Sequence, residues 1–152
     1  MDKNKHIPAW NLRGQPPALQ IAAAFGLIHV ATYLLDICRV DINEVCCDHT
    51  ALERAVLANN EQIIRLLLGK KHTQVNRFSI KQTGSALHKA ISTTPRILRL
   101  LLQHPGADIN DRDYQGETLF ATACFAGRVD MLQLLFNLRS MGLLVDTVDK
   151  GR

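Results

Sequence analysis

Apolar residues recur along this chain in four pairs of short stretches that share one phase. The four segments begin at Pro17, Thr50, Ser85 and Thr118, which are 33, 35 and 33 residues apart. In each, an apolar anchor is followed three residues later by Ala, then by a turn and a second stretch ending in three mostly apolar residues. The spacing predicts four helix-turn-helix units, and because one unit cannot bury its own apolar face, the units must stack. The anchors are Leu19, Leu52, Leu87 and Phe120, and the alanines are Ala22, Ala55, Ala90 and Ala123.

The residues that start the first helix of each unit are helix-capping types. Thr50, Ser85 and Thr118 offer a hydroxyl to the open amides of the first turn, and Pro17 supplies a fixed φ. Between the two helices, Gly26, Gly127 and Asn59 suit a left-handed turn, whereas the Thr94-Pro95 pair predicts a turn one residue shorter in the third unit. Small side chains at the four alanines are expected to allow close stacking of the helices.

A second signal follows each pair of helices after a few residues: VDIN from Val40, QVN from Gln74, GADIN from Gly106 and LVDTVD from Leu144. With this loop the period is about 33 residues and the unit start is TPLH-like, so the chain resembles the ankyrin repeat family. The family's TPLH histidine is matched only by His88, in a buried capping role; Gln20, Glu53 and Ala121 replace it elsewhere. The resemblance implies an all-α ankyrin-repeat solenoid of helix-turn-helix units with β-hairpin-like fingers.

The expected organisation is a single ankyrin-repeat domain over residues 1–152. It has a lead at 1–14, repeats at about 15–43, 44–76, 77–110 and 111–146, and the start of a truncated fifth repeat at 147–152. On this interpretation the chain is a piece of a longer protein. Its first unit, PPALQIAAAFGL, is also similar to ankyrin arrays in large multidomain fungal proteins.

Composition narrows the class of protein and its location. The chain is 47% hydrophobic but 5% aromatic, which suits thin, closely packed helices. Its four cysteines lack CxxC spacing, so reduced thiols in the cytoplasm or nucleus are expected. Residues 14–35 carry no charge, but their prolines and Gly26 divide them into two helical pieces, and we reject a membrane span.

No motif for catalysis or cofactor binding occurs: there is no phosphate loop, GxSxG elbow, HExxH pair or CxxC pair. We therefore expect no enzyme activity and no cofactor. Cys46, Cys47 and His49 are interpreted as part of a turn at the tip of the second finger rather than as metal ligands. Cys124, which aligns with Ala23, Val56 and Ile91 of the other units, is interpreted as a small buried hydrophobe.

The resemblance implies a protein partner, bound by the fingertips and the exposed side of the first helices. For Phe25, Leu57 and Phe125 the competing interpretation is packing against the neighbouring repeat, whereas Tyr114 is expected to be exposed. The residues predicted to contact the partner are Phe25, His49, Arg54, Leu57, Lys81, Lys89, Tyr114, Gln115, Glu117 and Phe125.

Charge is unevenly distributed along the chain. The formal net charge is +4, yet residues 54–104 hold nine Lys and Arg against one acid, Glu61. This basic middle favours an acidic partner. The alternatives are solvated surface, nucleic-acid binding by the same residues, and a regulatory array of a larger enzyme. An apolar end left open would also allow a second copy to pair there.

Overall fold

The computed structural model describes residues 17–77 and 84–140, which form an array of short helices. Within these residues, strand pairing is limited to two isolated antiparallel bridges, Cys46 with His49 and Arg112 with Thr118. The helices are α1 (Ala18–Phe25), α2 (Ile28–Asp36), α3 (Ala51–Leu57), α4 (Glu61–Leu68), α5 (Ala86–Ala90), α6 (Pro95–Leu102), α7 (Leu119–Phe125) and α8 (Val129–Ser140). The predicted all-α solenoid of helix pairs is confirmed.

The helices stack in two layers that run the length of the array. In the first layer α1 packs on α3, α3 on α5 and α5 on α7; in the second layer α2 packs on α4, α4 on α6 and α6 on α8. The two helices of each unit also pack on each other. The main helix contacts are therefore within units and between neighbouring units, which is the arrangement of a solenoid.

The core lies between the layers and between successive units. The four alanines predicted to allow close stacking, Ala22, Ala55, Ala90 and Ala123, are fully buried. A larger side chain at these positions would have to displace the adjacent helix, so small residues here are structural. The prediction for Cys124 is wrong. Its equivalents Ala23, Val56 and Ile91 are buried against the next unit, but Cys124 is exposed because no described residue covers that side of α7.

Three units begin with a hydroxyl residue, and in two of them this residue caps the first helix as predicted. The Thr50 Oγ1 accepts from the Glu53 amide at 3.1 Å, and the Glu53 carboxylate accepts from the Thr50 amide at 2.7 Å, which completes a capping box. Thr118 accepts from the Ala121 amide at 3.4 Å. Ser85 makes no cap, because its hydroxyl contacts His88 Nδ1 at 3.3 Å instead.

Three turns between paired helices have the left-handed backbone conformation that was expected. Gly26, Asn59 and Gly127 have φ of 71°, 56° and 64°, the left-handed conformation that ends the first helix of three units. In the third unit Pro95 is the first residue of α6, and none of the four residues between α5 and α6 has a positive φ. The other units have two or three residues there, so the prediction of a shorter turn is wrong; the shortened part is α5, which has five residues.

The loops that carry the second signal are joined by asparagine side chains. Asn43 donates to the His72 carbonyl at 2.6 Å and accepts from the Gln74 amide at 2.9 Å. Asn76 repeats this one unit later, donating to the Gly106 carbonyl at 3.0 Å and accepting from the Asp108 amide at 3.1 Å. The asparagines of the loops thus link the first unit to the second and the second unit to the third.

Over residues 17–77 and 84–140, no helix has both the length and the apolar character that crossing a bilayer requires.

Candidate functional site

The last turns of three first-layer helices present large apolar side chains to solvent. Phe25 and Phe125 are 76% and 79% exposed, and Leu57 is 45% exposed. Packing against the next repeat, the competing interpretation for these residues, is therefore not what the structure shows. In the third unit the corresponding Ser92 is exposed and polar, so the apolar surface is interrupted there.

The second finger ends in a tight turn. The Cys46 amide donates to the His49 carbonyl at 3.0 Å, and the His49 amide donates to the Cys46 carbonyl at 3.1 Å. Cys47 and Asp48 between them have φ of 50° and 63°. Positive φ at both central residues is the geometry of a two-residue hairpin loop, which confirms the predicted turn.

Beside this turn, four side chains of units two and three come together. The Glu53 side chain is fully buried, and its Oε2 lies 3.9 Å from His49 Nδ1. Arg54 and Lys89, which occupy the same position in successive units, are half-buried and close enough to act electrostatically on both Glu53 and His49. Of the predicted contact residues, the structure therefore brings together His49, Arg54 and Lys89.

Burial dominates the electrostatics of this cluster. It raises the pKa of the Glu53 carboxyl, an effect that the Thr50 hydrogen bond and the two cations only partly oppose. Burial also lowers the pKa of His49, and Arg54 and Lys89 lower it further. His49 Nδ1, Glu53 Oε1 and Arg54 Nε are buried and have no hydrogen-bond partner among the described residues. The cluster thus combines two cations with hydrogen-bonding groups that the described part of the chain does not satisfy.

The fourth finger is a compact polar turn. Asp113 Oδ1 accepts from the amides of Gln115 and Glu117 at 2.9 and 2.8 Å. Tyr114 is 54% exposed, as expected, and Gln115 next to it is exposed and donates to its hydroxyl at 2.9 Å. Glu117 is half-buried, and its carbonyl oxygen lies 3.2 Å from Nε2 of the buried His88, which joins this finger to α5.

The remaining basic side chains of the middle lie mostly in or beside the second layer. There Glu61 binds both Arg65, at 2.7 Å, and Arg96, at 2.8 Å, and Arg65 lowers the pKa of the Glu61 carboxyl. Lys70 forms an ion pair with Asp36. Three of these cations, Arg65, Arg96 and Lys70, are thus paired with acidic residues of the array itself. Lys81, predicted to contact the partner from the third finger, lies outside the described residues.

Sequence reasoning missed the residues that join one unit to the preceding one. Asn60 donates to the carbonyls of Ala23 and Ala24 at 2.8 and 3.0 Å. Arg128, at the same repeat position, donates to the carbonyls of Ile91 and Thr93 at 2.8 and 2.7 Å. A polar residue just before the second helix was the available signal. Glu53 was noted only as a substitute for histidine, and its buried carboxyl was not foreseen.

No group of three or more His, Cys, Asp and Glu side chains with metal-binding geometry occurs in the two described segments.

Stacked helix pairs, fingers and linked loops define a repeat protein of the α-solenoid class. Comparison with protein-family models shows to which family of repeat proteins the chain belongs. The family described as "Ankyrin repeats (3 copies)" matches residues 4–79, and the family described as "Ankyrin repeats (many copies)" matches residues 95–136. The chain belongs to the ankyrin repeat family, whose repeats are non-catalytic protein–protein interaction modules. No curated protein matches the chain.

Proposed function

We propose that this array is a non-enzymatic scaffold that binds a protein partner of mixed acidic and apolar character. The binding surface consists of the fingertips and the exposed side of the first-layer helices. Its centre is the pair Arg54 and Lys89, and its apolar contacts are Phe25, Leu57 and Phe125.

The observation that carries the proposal is the environment of Arg54. It is half-buried in the first layer, and its buried Nε has no hydrogen-bond partner among the described residues. Partly buried cations are normally paired, so a carboxylate that a partner brings to the accessible part of the Arg54 side chain would compensate its charge. The second-layer arginines contrast with it, because Glu61 already binds Arg65 and Arg96.

The apolar part of the surface supports the same interpretation. Phe25, Leu57 and Phe125 are large and exposed at the ends of α1, α3 and α7. Aromatic and aliphatic anchors surrounded by polar residues are the side chains that dominate binding energy at protein interfaces. His49, Tyr114, Gln115 and Glu117 supply the polar surroundings on the second and fourth fingers. Lys81 is proposed to extend this surface on the third finger.

The test uses two matched charge reversals, one in each layer. Binding partners are captured from a lysate, identified by mass spectrometry, and the strongest is purified and titrated at two salt concentrations. Arg54→Glu with Lys89→Glu should abolish binding or weaken it severely, and should remove the salt dependence. Arg65→Glu with Arg99→Glu, at equivalent positions of the second layer, is the control and should change binding little.

Equal losses in the two double variants would refute the first-layer surface. Tight binding of a random-sequence oligonucleotide, lost in Arg54→Glu with Lys89→Glu, would instead favour the nucleic-acid alternative.

A further inference from the structure

The sulfurs of Cys46 and Cys47 are in direct contact at the tip of the second finger. They lie 3.6 Å apart, whereas a disulfide bond is about 2.05 Å long. The main chain around them is well defined, because reciprocal hydrogen bonds between Cys46 and His49 close the turn and both of its central residues, Cys47 and Asp48, have positive φ. On this turn, the side chains of Cys46 and Cys47 bring their sulfurs into contact.

The pair is also accessible to a reagent in solution. Cys47 is exposed and Cys46 is half-buried, so a reagent reaches Cys47 more easily than Cys46. The other two cysteines provide an internal comparison, because Cys38 follows α2 and Cys124 is exposed on α7 in the last unit. Neither neighbours another cysteine in the sequence.

We propose that Cys46 and Cys47 form a reversible vicinal disulfide, which makes the second finger a site of thiol oxidation. Glutathione disulfide is the oxidant. The Cys47 thiolate attacks one sulfur of glutathione disulfide and releases a glutathione thiolate, leaving a mixed disulfide on Cys47. Cys46, after losing its proton to solvent, attacks Cys47 Sγ and releases the second glutathione thiolate. The dithiol is oxidised by two electrons, and glutathione disulfide is reduced to two glutathione molecules.

The bond is expected to be reversible because its geometry is unfavourable. Adjacent Cα atoms are about 3.8 Å apart, below the usual range of about 4.4 to 6.8 Å for disulfide-linked residues. Strained and exposed disulfides have the less negative potentials that are typical of labile, regulatory bonds. The order of the two steps follows from the positions of the sulfurs. Burial raises the pKa of the Cys46 thiol, so ring closure should accelerate as pH rises.

The experiment treats the full chain with glutathione disulfide, quenches it in acid and maps the products by peptide mass spectrometry. The peptide that contains Cys46 and Cys47 should lose two hydrogens, and an excess of reduced glutathione should restore them. Cys124 should instead gain one glutathione. In Cys46→Ser the mixed disulfide on Cys47 should persist, because no neighbouring thiol can displace it. Cys124→Ser is the matched control and should keep the loss of two hydrogens.

Two results would overturn the proposal: a mixed disulfide on Cys47 that persists as long in the wild type as in Cys46→Ser, or a disulfide between Cys46 or Cys47 and a different cysteine. Phenylarsine oxide gives a second measurement, since two converging thiols bind its arsenic with loss of water. One equivalent should bind wild type and Cys124→Ser but not Cys47→Ser, and absence of binding to the wild type also contradicts the proposal. Both measurements use the chain alone, so they are independent of partner docking.

Discussion

The last described unit differs from the middle units in how far equivalent positions are buried. In units two and three, Val56 and Ile91 are fully buried, whereas Cys124 at the same position is exposed. Ile64 and Leu98 are likewise fully buried, whereas their equivalent Leu132 is half-buried. The same repeat positions are thus more buried in the middle units than in the last described unit.

A shallow, open groove with a volume of about 540 Å³ lies between α7 and α8 of the last described unit. Phe136, at its edge, is 65% exposed, whereas its equivalents Leu68 and Leu102 are partly buried. The lining residues are Phe120, Leu132, Gln133, Phe136 and Asn137. The middle units therefore supply most of the fully enclosed contacts, and the last unit has the looser packing.

The largest expected difference in unfolding free energy between these regions comes from truncating the leucine at the equivalent position of each. Leu98→Ala removes a fully buried side chain and should cost about 2 to 5 kcal/mol of unfolding free energy. Leu132→Ala should cost clearly less, because solvent already reaches part of that side chain. Urea denaturation followed by far-UV circular dichroism measures both. Equal losses would mean that the last unit is as tightly packed as the middle.

Removing the N-cap hydroxyl compares the same two regions, with a smaller expected loss of unfolding free energy. Thr50→Ala breaks a buried capping box and should cost about 0.5 to 2 kcal/mol of unfolding free energy. Thr118→Ala should cost less, because its only cap bond is 3.4 Å long and has no reciprocal partner. Thr50→Ser keeps the hydroxyl and serves as the control in the same denaturation assay. A larger loss for Thr118→Ala would reverse the proposed ranking of the caps.

The smallest expected effect is the pH dependence that Glu53 contributes in the second unit, since the equivalent residue of the last unit is Ala121 and has no carboxyl. Burial raises the pKa of the Glu53 carboxyl in the folded state, so folding favours its protonated form. The corresponding stability is complete below the unfolded pKa and is lost as pH rises through the folded pKa. Glu53→Gln should therefore lack this loss and gain stability relative to wild type as pH rises through the same window.

Asp111 provides the internal reference for that measurement. Burial raises the pKa of its carboxyl too, so both proteins retain the pH dependence that it contributes. The difference between the stability curves of wild type and Glu53→Gln reports Glu53 together with its influence on neighbouring His49. Curves that stay parallel across the acidic range would mean that the Glu53 carboxyl is not destabilised by burial.

Much of the candidate surface could be located by repeat position. Leu57 and Phe125 share a repeat position and Phe25 lies one position later, and all three are exposed at the ends of first helices. Arg54 and Lys89 align with each other, so their proximity followed from the stacking of equivalent positions. What alignment could not predict was Glu53 beneath them, because its burial depends on contacts from a neighbouring unit.

By itself, the sequence determined the period, the helix pairs, the left-handed turns at Gly26 and Asn59, and the buried alanines. These features are local or repeat at fixed spacing, so apolar periodicity and backbone preference are sufficient to specify them. Only the tertiary structure decided that Cys124 is exposed, that Ser85 contacts His88 rather than capping its helix, and that Arg128 joins two units. These outcomes depend on which groups of neighbouring units lie within hydrogen-bonding or packing distance. Aligning the repeats in the sequence does not give those distances between side chains.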